Sequence, residues 1–539
     1  LSLFGLFDIA KSAIFASQTA LTVTSQNIAN VNTPGFSRRE ALFAIASPVT
    51  LGGNLLGNGV TISGIKRDYD KFIQTQLWGQ YQNYGRSSAL DQTLSEVEQV
   101  FNEAKNIGLA TPLTDFFNAW QGVATNPEGF AERSVLLQKA NALVSVAKQM
   151  ELGITDTLKN MNESIDTTVD RINAIASDIA AINSKIVQIE AGSQVENAND
   201  LRDQRDVLMN ELATLVDFSS YKDGNGSMTI TVGMRNLVSN ETSNSLSTRT
   251  NEEGDKELYL DGINITGSIK KGQLGGLISV RDTIRTDSLD GLRKLIASLI
   301  QEINMLHRSG YGLDGTTDND FFAPLQLSTR DFSFGADMTA TITDSSQLTL
   351  DEYSIQFDAS GNYLVYNKQN GTLVTSGAYV SGAPISFDGI EISITGTVTS
   401  TDKFTVSPLT DVMKNFQVAI SDQQMIAAAS SNPTLPGDNS NALRIVQLYQ
   451  NSIANLGGAT LSSYYGGLVS TIGSMSRAAS DSLTFDDNLL SELNTKRESL
   501  SGVSLDEEAA NLIRFQRSFQ AGAKMIQITD ELLQTLLDL

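Results

Sequence analysis

The 539-residue chain has no cysteine and one histidine, His307. Without cysteine there is no disulfide, thiolate nucleophile, iron–sulfur cluster or Cys-based zinc site. One histidine rules out every multi-His metal site, H-E-x-x-H included. A Ser–His–Asp triad would have to run through His307. Basic residues are also scarce: Lys and Arg total 38 against 61 Asp and Glu, and 38 − 61 = −23. Such a balance, without a basic run, suits neither a phosphate backbone nor an anionic membrane surface. No apolar run reaches the roughly eighteen residues of a membrane span. The opening segment LSLFGLFDIAKSAIFASQTA is broken by Asp8 and Lys11 with no basic residue ahead of them, so it reads as mature protein and not as a secretory signal.

At roughly 150 residues per domain, the length predicts three or four domains, large enough to need no covalent staple. At the N-terminus Phe7, Ile14, Leu21 and Ile28 recur every seven residues, each followed three later by Ala10, Ser17, Thr24 and Val31. This is a heptad seam with small residues at d. The helix must stop near Asn30, because Pro34 restricts Thr33 and Gly35 supplies the positive φ of a type II turn. Residues 40–68 read as extended, with turn glycines at Gly52, Gly53, Gly57 and Gly59. A helical period returns near Tyr69, with Leu90, Leu94, Val97 and Phe101 on one face. From about Ala131 to Ala191 apolar residues recur at three and four, through Ile154, Leu158, Met161, Ile165, Val169, Ile172 and onward. That is a helix of about 90 Å, open to a break at Gly153 and ending at Gly192. A helix over 197–217 carries the charged run LRDQRD.

Residues 218–270 are rich in turn formers and short alternating runs, with a polar loop near 240–256. A helix over about 287–308 precedes the turn-rich GYGLDGTTDND, and residues 331–408 read as all β. Helical pattern is expected again from about Thr410, with a loop at 430–441, a long helix from about Asn441 and another over 464–495. The last segment opens on a capping box, Ser504 to Glu507. Its seam places Leu505, Leu512, Phe519, Ile526 and Leu533 at a, but Glu508, Gly522 and Thr529 among Phe515 and Leu536 at d, which is weak by apolarity.

The expected class is α+β multidomain. Residues 1–40 with 503–539 would form an inner domain of terminal coiled-coil helices. Residues 41–330 with 409–502 would form an elongated helical rod domain with a β part at about 218–270. Residues 331–408 would form an outer all-β domain.

The chemical motifs are weak. Gly310, Gly312 and Gly315 match G-x-G-x-x-G, but follow a helix and open a loop, the reverse of a dinucleotide site. Asp314, Asp318 and Asp320 lack EF-hand spacing, and Asp223, Asn225 and Ser227 lie in a hairpin turn; turn chemistry is favoured for both. His307, near a helix end, reads as a packed or capping residue. No catalytic residue, metal site or cofactor is expected.

One stretch is more specific. Ala29-Asn30-Val31-Asn32-Thr33-Pro34-Gly35-Phe36 resembles the N-terminal motif of bacterial flagellar rod, hook and hook-associated proteins. Two further segments resemble the hook-associated branch, Gly57 to Val60 with Ile65 to Tyr69 and Phe72, and Asn199 to Asp206 with Glu211-Leu212, and Ser504 to Gln520 resembles the C-terminal helix of these axial proteins. The resemblance implies a structural protein, not an enzyme, at the junction of hook and filament. It implies self-association in a ring through both terminal helices, with hook protein on one side and a second junction protein or filament on the other. It further implies export without a cleaved signal, a cytoplasmic chaperone on the C-terminal helix, and no nucleic-acid or membrane partner. A hook or distal-rod protein, a surface adhesin using the β domain, and a glycan hydrolase with paired carboxylates are the competing readings.

Overall fold

The computed structural model describes residues 3–51, 54–103, 108–191, 197–333 and 335–538. Gly52, Gly53 and Gly192, assigned above to turns and a helix end, lie outside them. The chain is α+β. Helix α1 (Leu3–Ala29) leads into β1 (Arg39–Ile45), β2 (Val49–Leu51), β3 (Asn54–Leu56) and β4 (Val60–Arg67). Strands β1 and β4 pair antiparallel, Arg39 opposite Arg67, with an irregularity at Leu42/Phe43, and β2 pairs with β3. Next come α2 (Lys71–Val100), α3 (Ala110–Thr125), α4 (Phe130–Glu190) and α5 (Asn199–Leu215).

Gly153 does not break α4, which runs unbroken for 61 residues. A Cβ there would lie 3.0 Å from Val100 Cγ2, so this glycine permits close packing on α2 and is not a stop. Strands β5 (Ser219–Lys222), β6 (Met228–Val232), β7 (Arg235–Ser239) and β8 (Thr242–Ser243) form one antiparallel sheet. Strands β9 (Leu246–Thr250), β10 (Lys256–Leu260) and β11 (Ile263–Asn264) form another. The stretch 240–256, expected as a loop, therefore contains β8 and β9; backbone pairing overrides the polar composition.

The helix expected from 287 begins earlier, as α6 (Gly272–Thr283), continues through a π-helical segment Ile284–Leu289, and becomes α7 (Asp290–Arg308). Gly272, Gly275 and Gly276 disguised its start. At Gly276 a Cβ would fall 2.7 Å from the Arg86 carbonyl oxygen, so a glycine is what lets α6 lie against α2.

The β-rich segment comprises β12 (Ser328–Phe332), β13 (Ala336–Ile342), β14 (Tyr353–Phe357), β15 (Asn362–Asn367), β16 (Leu373–Ala378), β17 (Pro384–Phe387), β18 (Ile390–Gly396) and β19 (Lys403–Ser407). It forms two sheets, ordered β12-β19-β14-β15-β16 and β13-β18-β17. Strand β18 alternates as a strand with one buried face should: Ile390, Ile392 and Ile394 are fully buried. Helical structure beyond Thr410 is slighter than expected. Two α-helices, α8 (Val412–Asn415) and the nine-residue α9 (Ser440–Leu448), and three single-turn 3-10 helices precede α10 (Leu461–Ser501) and α11 (Leu505–Leu537). Pro433 and Pro436, then the left-handed Gly457 and Gly458, interrupt the pattern.

The chain divides into two compact units. One holds the chain up to Asp91, Asn162–Ser279 and the chain from Ala479; the other holds Gln92–Met161 and Val280–Ala478. In the second, Phe116, Trp120, Phe321, Phe322 and Phe416 form a buried aromatic cluster with centroids 4.9 to 5.8 Å apart between neighbours. The first unit carries both termini and the motif at Ala29 to Phe36.

Candidate assembly interface

Helices α1 and α11 pack along each other. The line of closest approach is d, the line that apolarity scored as weak. Glu508 and Thr529 are 1% and 3% exposed, and Gly522 is buried. A Cβ on Gly522 would meet Ile14 Cγ1 at 2.9 Å, with the Ala10 carbonyl oxygen at 3.5 Å. Across from them α1 buries Ala10, Ala16, Ser17, Ala20, Val23 and Thr24. Small residues bring the two backbones together, so size and not apolarity marks the seam. The a-position residues sit higher on its flanks. Ile14, Leu21, Ile28, Leu512, Phe519, Ile526 and Leu533 are half-buried, while Phe7 and Leu505 are exposed. The Leu536 side chain lies outside the described residues.

At one end of the seam, polar groups replace small ones. The Asn27 side chain accepts the Arg39 N–H at 3.0 Å and donates to the Arg39 carbonyl at 2.9 Å and to Glu508 Oε2 at 3.1 Å. Glu508 Oε1 accepts from Arg38 Nε at 2.8 Å. The Arg38 guanidinium also lies 3.4 Å from Glu507 and 3.7 Å from Asp68. Burial works to lower the Arg38 pKa, but the bond and charge of Glu508 outweigh it and the net shift is upward. Helix α11 begins at the predicted cap: Ser504 Oγ accepts the Glu507 N–H, at a long 3.5 Å.

The family-like motif forms the exit from α1. Helix α1 ends at Ala29, and Asn30 Nδ2 donates back to the Gln26 carbonyl at 2.9 Å. Thr33 N–H donates to the Asn30 carbonyl at 2.9 Å, and Phe36 N–H to the Thr33 carbonyl at 3.2 Å. Pro34 and Gly35 are the central residues of the second turn, and Gly35 has φ +82°. A Cβ on Gly35 would also stand 2.2 Å from Val207 Cγ2 on α5. Two independent constraints thus require glycine: the left-handed backbone and contact with the charged helix.

Helix α5 is the anvil for this turn. Arg39 pairs with Asp200 and with Asp203 (3.2 Å), and Arg67 with Asp203 (2.9 Å) and Asp206 (2.8 Å). The Arg39 guanidinium also lies 4.8 Å from the Phe36 ring centroid. Asn199 Nδ2 donates to the Ile65 carbonyl at 2.8 Å. Burial pushes the Asp206 carboxyl up in spite of Arg67. The motif, α4 and α5 line an open groove of about 650 Å³, with Asn30, Thr33, Pro34 and Phe36 on its motif side. Sequence reasoning picked out the motif and the LRDQRD run separately but did not join them, and it missed Asn27, Arg38, Arg39, Arg67 and Glu508. The opposite charges at Arg38, Arg39 and Arg67 and in LRDQRD were the available signal.

The remaining candidates are structural. His307 is fully buried; its Nδ1 lies 2.6 Å from the Asn319 carbonyl, and its Nε2 accepts the Ala427 N–H at 3.0 Å. Burial holds its pKa down to about 4. Asp320 pairs with Arg308 at 2.7 Å, and Asp314 Oδ1 accepts from Thr316 N–H and Oγ1. Gly315 has φ +77° and its N–H bonds the Gly312 carbonyl, a turn after α7. Ser227 Oγ bonds Asp223 and Asn225 within the β5–β6 turn. Among the described residues no group of three or more His, Asp or Glu is placed to hold a metal ion.

Family models match four stretches. These are the flagellar hook-associated protein FlgK helical domain over 94–322 and the flagellar hook-associated protein 1 D2-like domain over 328–408. The flagella basal body rod protein matches 7–36, and the flagellar basal body rod FlgEFG C-terminal model matches 497–539. Flagellar hook-associated protein 1 of Escherichia coli (strain K12) is 31% identical over 550 residues, covering 99% of each chain. The chain belongs to the flagellar hook-associated protein 1 family. The Bacillus subtilis (strain 168) member is 26% identical, covering 100% of this chain and 98% of its own. A solved flagellar hook junction protein FlgK from Burkholderia pseudomallei shares the fold, with TM-score 0.66 and 18% identity over 79% of this chain and 100% of that one. As a hook-associated protein 1 family member the chain is a structural component of the bacterial flagellum. Among the described residues no helix is long and apolar enough to cross a membrane.

Proposed function

We propose that this chain, a structural protein of the hook–filament junction, closes into a ring through its terminal helices. The observation that carries the reading is the apolar surface of the α1–α11 pair. Phe7 and Phe15 on α1 and Leu505, Ile513, Met525, Ile528 and Leu532 on α11 are 37% to 57% exposed. The seam is already filled by small residues, so these side chains have no place within the chain to go. A strip of this kind is stabilised by burial against another copy. Repetition of one such contact head to tail gives a ring or helical array. In this reading hook protein lies on one side, a second junction protein or filament on the other, and the subunit has no catalytic role. Before assembly the C-terminal helix is the segment a cytoplasmic export chaperone holds.

Immunogold electron microscopy of isolated flagella, with antibody against residues 331–408, tests the placement. One band of gold where hook meets filament is the expected result. Label along the hook would select a hook-protein role, and unlabelled flagella would bring the adhesin reading forward.

A further inference from the structure

The first unit contains a cleft of about 400 Å³ between α2, α5 and β5, away from the terminal helices. Two buried N–H donors on residues lining it have no acceptor among the described residues: Trp78 Nε1 and Arg205 Nε. Trp78 is 6% exposed and Arg205 2%. The Arg205 Nη1 donates to Asn183 Oδ1 at 2.8 Å and to the Gly226 carbonyl at 3.1 Å, both uncharged. The neighbouring carboxylates are committed elsewhere. Asp203 and Asp206 pair with Arg67, and Glu190 with Arg202. Burial, helped by the charges of Arg202 and Arg67 and opposed by Asp206, lowers the Arg205 pKa to about 10.

The walls beside these donors are aromatic. Trp78 and Phe218 have ring centroids 6.0 Å apart, and Tyr221 and Lys71 stand exposed at the mouth. We propose that the cleft binds a small organic monocarboxylate with an apolar body, its carboxylate between Arg205 and Trp78 and its body against Trp78 and Phe218. Arg205 forms no direct ion pair among the described residues and its Nε has no acceptor, so the site favours a ligand with one negative charge. A phosphate dianion would bring a second charge and surrender tighter hydration to aromatic walls. The two donors match the two oxygens of a carboxylate, with the guanidinium bond charge-assisted.

The probe is 3-phenylpropionate, read by tryptophan fluorescence in a Trp120→Phe background, which leaves Trp78 as the sole tryptophan. The expected result is a saturable change with Kd on the order of 1 mM or tighter, and at least tenfold weaker response to the neutral 3-phenylpropanamide. Arg205→Met should abolish saturation in a variant that still folds, with a melting temperature lowered by the loss of the bonds to Asn183 Oδ1 and the Gly226 carbonyl. If Arg205 served structure alone, binding by the folded variant would persist. Should Arg205→Met not fold, Lys71→Gln at the exposed mouth decides, with severalfold weaker binding expected. Equal response to the amide, the same response to sodium chloride, or no saturable change would each overturn the proposal.

Discussion

Asn27 and Glu508, 481 residues apart in sequence, are hydrogen-bonded at 3.1 Å in a buried site. The same asparagine holds both backbone groups of Arg39, so one side chain ties the end of α1, the start of β1 and the first turn of α11. Asn27→Ala would strand the Arg39 N–H and carbonyl and one oxygen of Glu508. The expected loss is about 1–3 kcal/mol, confined to the terminal helices. Amide hydrogen exchange should show α1 and α11 opening while α4 stays protected. A double-mutant cycle with Glu508→Gln should return a coupling energy; strict additivity would show that the contact is incidental.

Gly35→Ala should destabilise by more than the roughly 1 kcal/mol that a left-handed alanine costs, because its Cβ also enters the Val207 side chain. Val207→Ala in the same chain should restore part of the loss but not the backbone component. Chemical denaturation of the three variants measures both parts. Full rescue would mean that contact alone, and not φ, requires glycine.

Leu512→Asp or Phe519→Asp places a charge on a half-buried flank of the seam. Self-assembly should fail, and the circular dichroism melt of the remaining chain should be unchanged. Sedimentation and melting together check it: a collapse of the whole melt would make these residues ordinary core and remove the support for assembly through the terminal helices.

His307 gives a pH dependence with a definite sign. Its pKa falls from 6.5 unfolded to about 4 folded, so the unfolded state binds the proton more readily. Its contribution is complete above pH 6.5 and is lost as pH falls toward 4, on the order of 3 kcal/mol over the window. Asp290, raised by burial to about 6, changes stability in the opposite sense, gaining as pH falls. The stability difference between the native chain and His307→Gln isolates the histidine, because the aspartate is common to both. That difference should shrink as pH drops from 6.5 to 4; a flat difference would place the proton elsewhere.

The parts legible in the sequence were those with one dominant period or one rigid residue. The stripe through Ile154 and Ile165 gave α4, the Ser504 cap gave the start of α11, and Pro34-Gly35 gave the turn. What escaped was set by proximity across the fold. Gly153 read as a possible break and Gly522 as a weak position, and Gly276 was not singled out, yet each is a place where another segment comes close. Glu508 read as a flaw in an apolar seam because its partners, Asn27 and Arg38, lie at the other end of the chain. LRDQRD read only as a charged run on a helix, because Arg39 and Arg67 were not visible beside it.

The backbone bond from Arg38 N–H to the Ser501 carbonyl, 2.8 Å long, lies just outside the terminal pair on both strands of chain. It fixes a common root from which α1 and α11 extend. The body of the first unit has therefore already met the entropy of closing a loop of hundreds of residues before the two helices meet. Each helix sees the other at the effective concentration of a short tether, not of two distant chain ends. Pairing of the helices is thus governed by whether the root is made, and a body that comes apart near Arg38 or Ser501 would release both helices together.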